Sequence, residues 1–187
     1  MSYQDNPMLL VDAPKREKRL LPSVTEEQLA ILVLYAECQR DIVMLNLLYD
    51  SGMRLSEITN IKRDDIDWES QTITIIGKGN KQRRAPFTKK TGGLLKEYLI
   101  AVNEKDNIWG LTIYGIQQML ERLEKETGIK CNPHAFRRGF ACNLHRKGLS
   151  TLDIMHLGGW SDLSMVLRYT YSITFDDCLK HYEQVNQ

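Results

Sequence analysis

The sequence has no C-x-x-C pair: Cys38, Cys131, Cys142 and Cys178 are scattered along its 187 residues. That argues against a zinc site or a dithiol redox site and for a reduced, cytoplasmic setting. His145, His156 and His181 lack metal-ligand spacing, and neither metal nor cofactor is expected. No apolar run approaches the roughly 18 residues of a spanning helix. The first residues, Met1-Ser2-Tyr3-Gln4-Asp5, contain no apolar stretch of the kind a secretory signal needs. Internal repeats and low-complexity segments are missing too. Gly77-Lys78-Gly79 invites a P-loop reading, but G-x-x-x-x-G-K-[ST] is absent and no helix is expected after the turn.

A surplus of positive charge is also lacking, since the net charge is only +1. Its distribution is uneven, however. No acid lies between Glu69 and Glu97, a stretch that holds Lys78, Lys81, Arg83, Arg84, Lys89, Lys90 and Lys96. None lies between Glu126 and Asp153, where Lys130, Arg137, Arg138, Arg146 and Lys147 occur. The acids collect at Asp64, Asp65, Asp67 and Glu69 and around Glu121–Glu126. One-sided positive potential is the footprint of a phosphate-binding surface. Apolar content of 42% and a mean hydropathy of -0.37 describe an ordinary globular chain of one domain.

Residues 1–22 read as a basic linker, broken by Asn6-Pro7, Pro14 and Leu21-Pro22. Residues 23–187 read as one domain with 172–187 as its tail. Thr25-x-x-Gln28 forms a capping box ahead of a helix whose face carries Leu29, Leu32, Val33 and Ala36. A second helix covers Asp41–Asp50, carrying Ile42, Leu45, Leu48 and Tyr49, and Gly52 sits where a helix stop needs positive φ. A short helical segment follows at Leu55–Asn60. Strands at 72–76 and 82–87 flank a Gly77–Asn80 turn, and a third strand lies near Ile66–Trp68. Further helices are expected at 94–103, after Gly92-Gly93, and at 112–127, 133–147, 151–157, 162–171 and 174–184. The fold class is α+β, mostly α: a helical domain with a small antiparallel sheet.

Six polar or aromatic positions carry chemistry. Arg54 follows the helix stop, and Arg137 shares His134-Ala135-Phe136-Arg137-Arg138. Two guanidinium forks on one phosphate neutralise it and bond its non-bridging oxygens bidentately. Glu57, three residues after Arg54, orients that arginine or supports the local structure. Lys78 stands between two glycines, where an ammonium can swing toward a leaving oxygen; Lys81 is its rival for that role. His134 and Arg137 are spaced i, i+3 after Pro133, so both can face one site. Trp160 precedes Tyr169 by nine residues, and Tyr171 is the backup for Tyr169. The bland reading of the last three is helix packing.

In order, context and spacing, Arg54, Lys78, His134, Arg137, Trp160 and Tyr169 resemble the catalytic domain of the tyrosine recombinases, the phage-integrase family. The resemblance covers about Pro14 to the C-terminus. It implies the fold of the DNA breaking-rejoining catalytic core, with Arg54 and Arg137 as the phosphate-binding pair and Tyr169 as the nucleophile. It also implies a 3′-phosphotyrosyl intermediate formed without ATP or metal. Most relatives carry histidine at the position of Trp160, and some carry tryptophan. The extra glycine in Gly158-Gly159 blurs the alignment: matching Gly159 to the histidine would place Arg168 at the nucleophile. Lys81, Arg83, Arg84 and Arg138 are the expected DNA-binding cations. Implied partners are double-stranded DNA, on the nucleoid, and further copies of the chain, as a tetramer joined through the tail. Full integrases carry an N-terminal DNA-clamping domain, and this chain starts at the linker-like segment. A type IB topoisomerase-like enzyme and a non-catalytic DNA-binding module are the alternatives.

Overall fold

A computed structural model describes residues 21–77, 82–102, 107–171 and 173–186. The linker-like reading of residues 1–20 and the turn that carries Lys78 and Lys81 lie outside the described residues.

Helix α1, Glu26–Leu34, opens on the expected capping box: Thr25 Oγ1 accepts from the Gln28 N–H, and Gln28 Oε1 accepts from the Thr25 N–H. Helix α2, Gln39–Ser51, is the axis of the fold. Val43, Met44, Leu45, Leu47 and Leu48 are all buried and Ile42 is half-buried. An apolar run with no polar face packs on every side, and α2 meets α1, α4 (Lys89–Ala101) and α6 (Pro133–Arg146). It ends at Gly52, φ 56°, where a Cβ would also lie 2.5 Å from the Phe140 ring. Glycine is therefore required twice over, by conformation and by contact.

After α3, Leu55–Thr59, the strands β1 (Ile66–Asp67), β2 (Thr72–Ile76) and β3 (Gln82–Pro86) form an antiparallel sheet in that order. The register sets Ile73 opposite Ala85 and Ile75 opposite Arg83. Ile73, Ile75 and Ala85 are buried, so Arg83 stands on the face that packs inward.

Helix α4 starts five residues before the expected 94, because Gly92-Gly93 is not a break. Thr88 caps the helix through Thr91 N–H, and Asp50 accepts from the Thr88 N–H at 3.0 Å and the Thr88 hydroxyl at 2.6 Å. Gly92 lies under Phe87, where a Cβ would come within 2.9 Å of the ring. Helices α5 (Ile113–Thr127), α6, α7 (Thr151–Gly158), α8 (Leu163–Thr170) and α9 (Phe175–Val185) follow close to expectation. Trp109, 2% exposed, stacks on Tyr98 and donates its indole N–H to the Ile58 carbonyl. That contact ties α3 to the α4–α5 connection; truncating such a tryptophan costs about 3–5 kcal/mol.

The interior divides into two clusters. The larger surrounds α2 and reaches Phe136; the smaller contains Phe140, Ala141, Ile154, Trp160 and Val166, from α6, α7, α8 and the α7–α8 connection. Helix α6 belongs to both, and the functional cleft opens where they meet.

Candidate active site

A cleft of about 470 Å³ brings together Arg54, His134, Arg137, Trp160 and Tyr169, with Ser56, Gln117 and Met165 completing its walls. Five of the six positions singled out by sequence thus share one site, although the chain separates the first from the last by more than half its length. Lys78 lies outside the described residues. Gln117 and Met165 carried no sequence signal, because each occupies an ordinary position on an amphipathic helix.

Arg54 is the N-cap of α3. Its backbone N–H donates to Glu57 Oε2 at 2.7 Å and its Nη1 to Glu57 Oε1 at 2.9 Å. Glu57 is 6% exposed and accepts a further bond from Arg83 Nη2 at 2.8 Å. Burial pushes its carboxyl up, but the Arg83 bond, the Arg54 backbone N–H and the guanidinium charges outweigh that and hold it below the usual carboxylate range. The carboxylate is ionised at neutral pH and clamps Arg54 from behind. The Arg54 side chain remains 49% exposed toward the cleft.

Arg137 is held by different means. It is 5% exposed, donating from Nη1 to the Gly52 carbonyl and from Nη2 to the Gly158 carbonyl at 2.8 Å. Those carbonyls belong to the C-terminal ends of α2 and α7. Two negative helix ends therefore converge on one cation and offset its desolvation. Burial, then the neighbouring Arg54 and Arg83 charges, lower its pKa to about 10, leaving it charged at neutral pH. A guanidinium has five N–H donors, so donors remain for a ligand.

Trp160, 7% exposed, lies between the cation and the tyrosine. Arg137 Cζ sits 4.2 Å from its ring centroid, and the Tyr169 ring meets it edge-on at 5.7 Å and 64°. The paired glycines before it have separate causes. A Cβ on Gly158 would fall 2.0 Å from the Trp160 ring, and Gly159, φ 63°, caps α7 against the Arg83 side chain. The tryptophan thus accounts for the extra glycine. Tyr169 lines the cleft, whereas Arg168 and Tyr171 are exposed and do not. His134 follows Pro133 in the first turn of α6, which Asn132 caps through the Ala135 N–H, and it is exposed to the cleft.

The four expected DNA-binding cations separate. Arg84 is exposed on β3. Arg138 is half-buried and donates from Nε to the Pro22 carbonyl, tying α6 to the entry of the domain. Arg83 is turned inward, 16% exposed, on Glu57 and on the Leu157 carbonyl. Lys81 lies outside the described residues. The inward placement of Arg83 had a sequence signal: strand alternation puts it on the same face as Ala85.

The crystal structure of XerA recombinase superposes with a TM-score of 0.77 at 23% identity, over 90% of this chain and 66% of that one. The XerH site-specific recombinase bound to palindromic difH substrate superposes at 0.72 and 22%, over 92% and 55%. In sequence, the chain is 33% identical to tyrosine recombinase XerC of Bacillus pumilus (strain SAFR-032), over 96% of this chain and 66% of that protein. It is 32% identical to the XerC of Staphylococcus aureus (strain MSSA476), over 89% and 62%. The chain thus spans under two thirds of the length of these curated relatives. The phage integrase family model matches residues 22–174, and this chain belongs to that family.

Proposed function

We propose that the chain is the catalytic domain of a site-specific DNA recombinase. The observation that carries this reading is the convergence of Arg54, His134, Arg137, Trp160 and Tyr169 on one cleft. Arg54 and Arg137 grip the non-bridging oxygens of a DNA phosphodiester, whose charge grows as phosphorus becomes five-coordinate. The Tyr169 oxygen attacks phosphorus in line, forming a 3′-phosphotyrosyl bond as the bond to the 5′ oxygen breaks. A phenol is a weak nucleophile near its ordinary pKa of about 10, so its proton must leave, and His134 is placed to assist that transfer. Lys78 protonates the departing 5′ oxygen in this reading, with Lys81 as its rival. A second 5′ hydroxyl then reverses the step, so the bond energy is conserved.

The relatives named above are recombinases, which favours strand exchange over same-strand relaxation. The further partner in this reading is a second copy of the chain. Helix α9 exposes Phe175, Leu179 and Tyr182 along one side, the kind of stripe that docks on a neighbouring protomer. The reading also places the protein on the nucleoid; among the described residues no helix is long and apolar enough to cross a membrane.

The test is covalent capture. On a nicked suicide substrate the chain should form a DNA adduct that Tyr169→Phe abolishes while DNA affinity is kept. An adduct that survives in Tyr169→Phe and vanishes in Tyr171→Phe would overturn the assignment. Relaxation of plasmid without exchange between paired sites would favour the topoisomerase-like reading.

A further inference from the structure

We propose that Arg83 is a positioning residue for strand cleavage: it shares the Glu57 carboxylate with Arg54, so that Glu57 orients Arg54 without neutralising it. The proposal rests on the recombinase reading.

The geometry of the trio is asymmetric. Glu57 Oε1 takes the Arg54 side chain, while Oε2 takes the Arg54 backbone N–H and Arg83 Nη2. A carboxylate held by Arg54 alone would form a neutral pair, and that pair would weakly stabilise the charge that grows on the phosphate oxygens as phosphorus becomes five-coordinate. With Arg83 present the trio keeps one net positive charge, and the exposed member of it is Arg54. The buried carboxylate then fixes the direction of Arg54 while Arg83 compensates its charge.

Arg83 itself is fixed from several sides. The strand register turns it inward opposite Ile75. Nη1 donates to the Leu157 carbonyl at 3.3 Å, at the end of α7. Its Cδ and Nε lie so close under Gly159 that a Cβ there would come within 2.5 Å. Nε is buried without a hydrogen-bond partner among the described residues. An arginine that leaves a buried donor unsatisfied is costly as a filler, and its inward donors suit it poorly to a DNA contact. What it does satisfy is the Glu57 charge. It also links β3, which follows the segment carrying Lys78, to α7, which ends beside Trp160.

The experiment uses the full chain with Arg83→Gln, Arg83→Lys, Glu57→Gln and the double variant Arg83→Gln/Glu57→Gln. Adduct formation on the suicide substrate is timed at saturating protein, and gel shifts across a salt series give affinity. Arg83→Gln should slow adduct formation roughly 10–10²-fold with affinity and salt slope unchanged. Arg83→Lys should recover part of the rate. The double variant should be no slower than Arg83→Gln alone, because removing the carboxylate charge frees Arg54 again. A salt slope reduced by about 0.9 with normal cleavage at saturation would make Arg83 a DNA contact and overturn the proposal. So would losses that multiply in the double variant.

A second readout needs no activity. The ¹³C carboxyl resonance of Glu57, assigned by its loss in Glu57→Gln, should titrate at higher pH in Arg83→Gln. The charged groups facing that carboxylate are Arg54, Arg83 and Arg137. An unmoved titration overturns the proposal even if cleavage falls. If Arg83→Gln does not fold, Arg83→Met, which keeps the aliphatic stem without the charge, carries both measurements. Wild-type chain that folds and binds DNA but forms no adduct would sink the recombinase reading and the cleavage role with it, and the Glu57 titration would then decide the charge sharing separately.

Discussion

The two arginines of the cleft are held by opposite means. Arg137 is 5% exposed and gripped by two backbone carbonyls at helix ends. The Arg54 side chain is 49% exposed and gripped by a carboxylate. Helix-end dipoles supply partial negative charge without an ion, so Arg137 keeps its full charge and closes the junction between α2, α6 and α7. A carboxylate supplies a whole charge, so Arg54 gains direction at the risk of being neutralised. The first arrangement binds function to folding, and the second leaves them separable.

Replacing Arg137 should therefore have the largest effect. Arg137→Ala leaves the Gly52 and Gly158 carbonyls without their donor and should cost about 2–4 kcal/mol in a urea titration. It should also reduce cleavage by at least about 10²–10³-fold. Arg54→Gln should reduce cleavage by roughly 10²–10³-fold and stability by under about 1 kcal/mol, given its exposure. Equal destabilisation by the two variants would break the comparison. The smallest effect is on pH dependence. Glu57 titrates below its ordinary range in the folded chain, so its stabilisation is present above about pH 4.3 and is lost as pH falls through the lower folded value. Thermal melts across acid pH should show a decline that Glu57→Gln flattens.

Much of the local structure was legible. The capping box at Thr25, the stop at Gly52, the paired strands β2 and β3 and the Pro133 start of α6 are short-range devices, and each occurs where the sequence signal places it. One misreading has a physical cause. Gly92-Gly93 passed for a helix break because the Asp50 carboxylate that supports the Thr88 cap is 38 residues away. Helix α2 buries more than the apolar positions marked in its sequence, because packing against α1, α4 and α6 covers nearly its whole girth. Arg83 reads in sequence as part of one run of cations, yet its side chain is only 16% exposed. Strand alternation in fact sends Arg83 and Arg84 to opposite faces.

The sequence by itself determined the family, the helical character, the paired strands and five of the residues that line the cleft. Ordered motif spacing and local backbone chemistry survive in one dimension. The tertiary structure decided the partner of each cation. The bond from Arg137 to Gly52 spans 85 residues and that from Arg83 to Leu157 spans 74. Neither pairing leaves a local mark, because a guanidinium can donate to a carbonyl, a carboxylate or a phosphate, and packing decides which of them it meets.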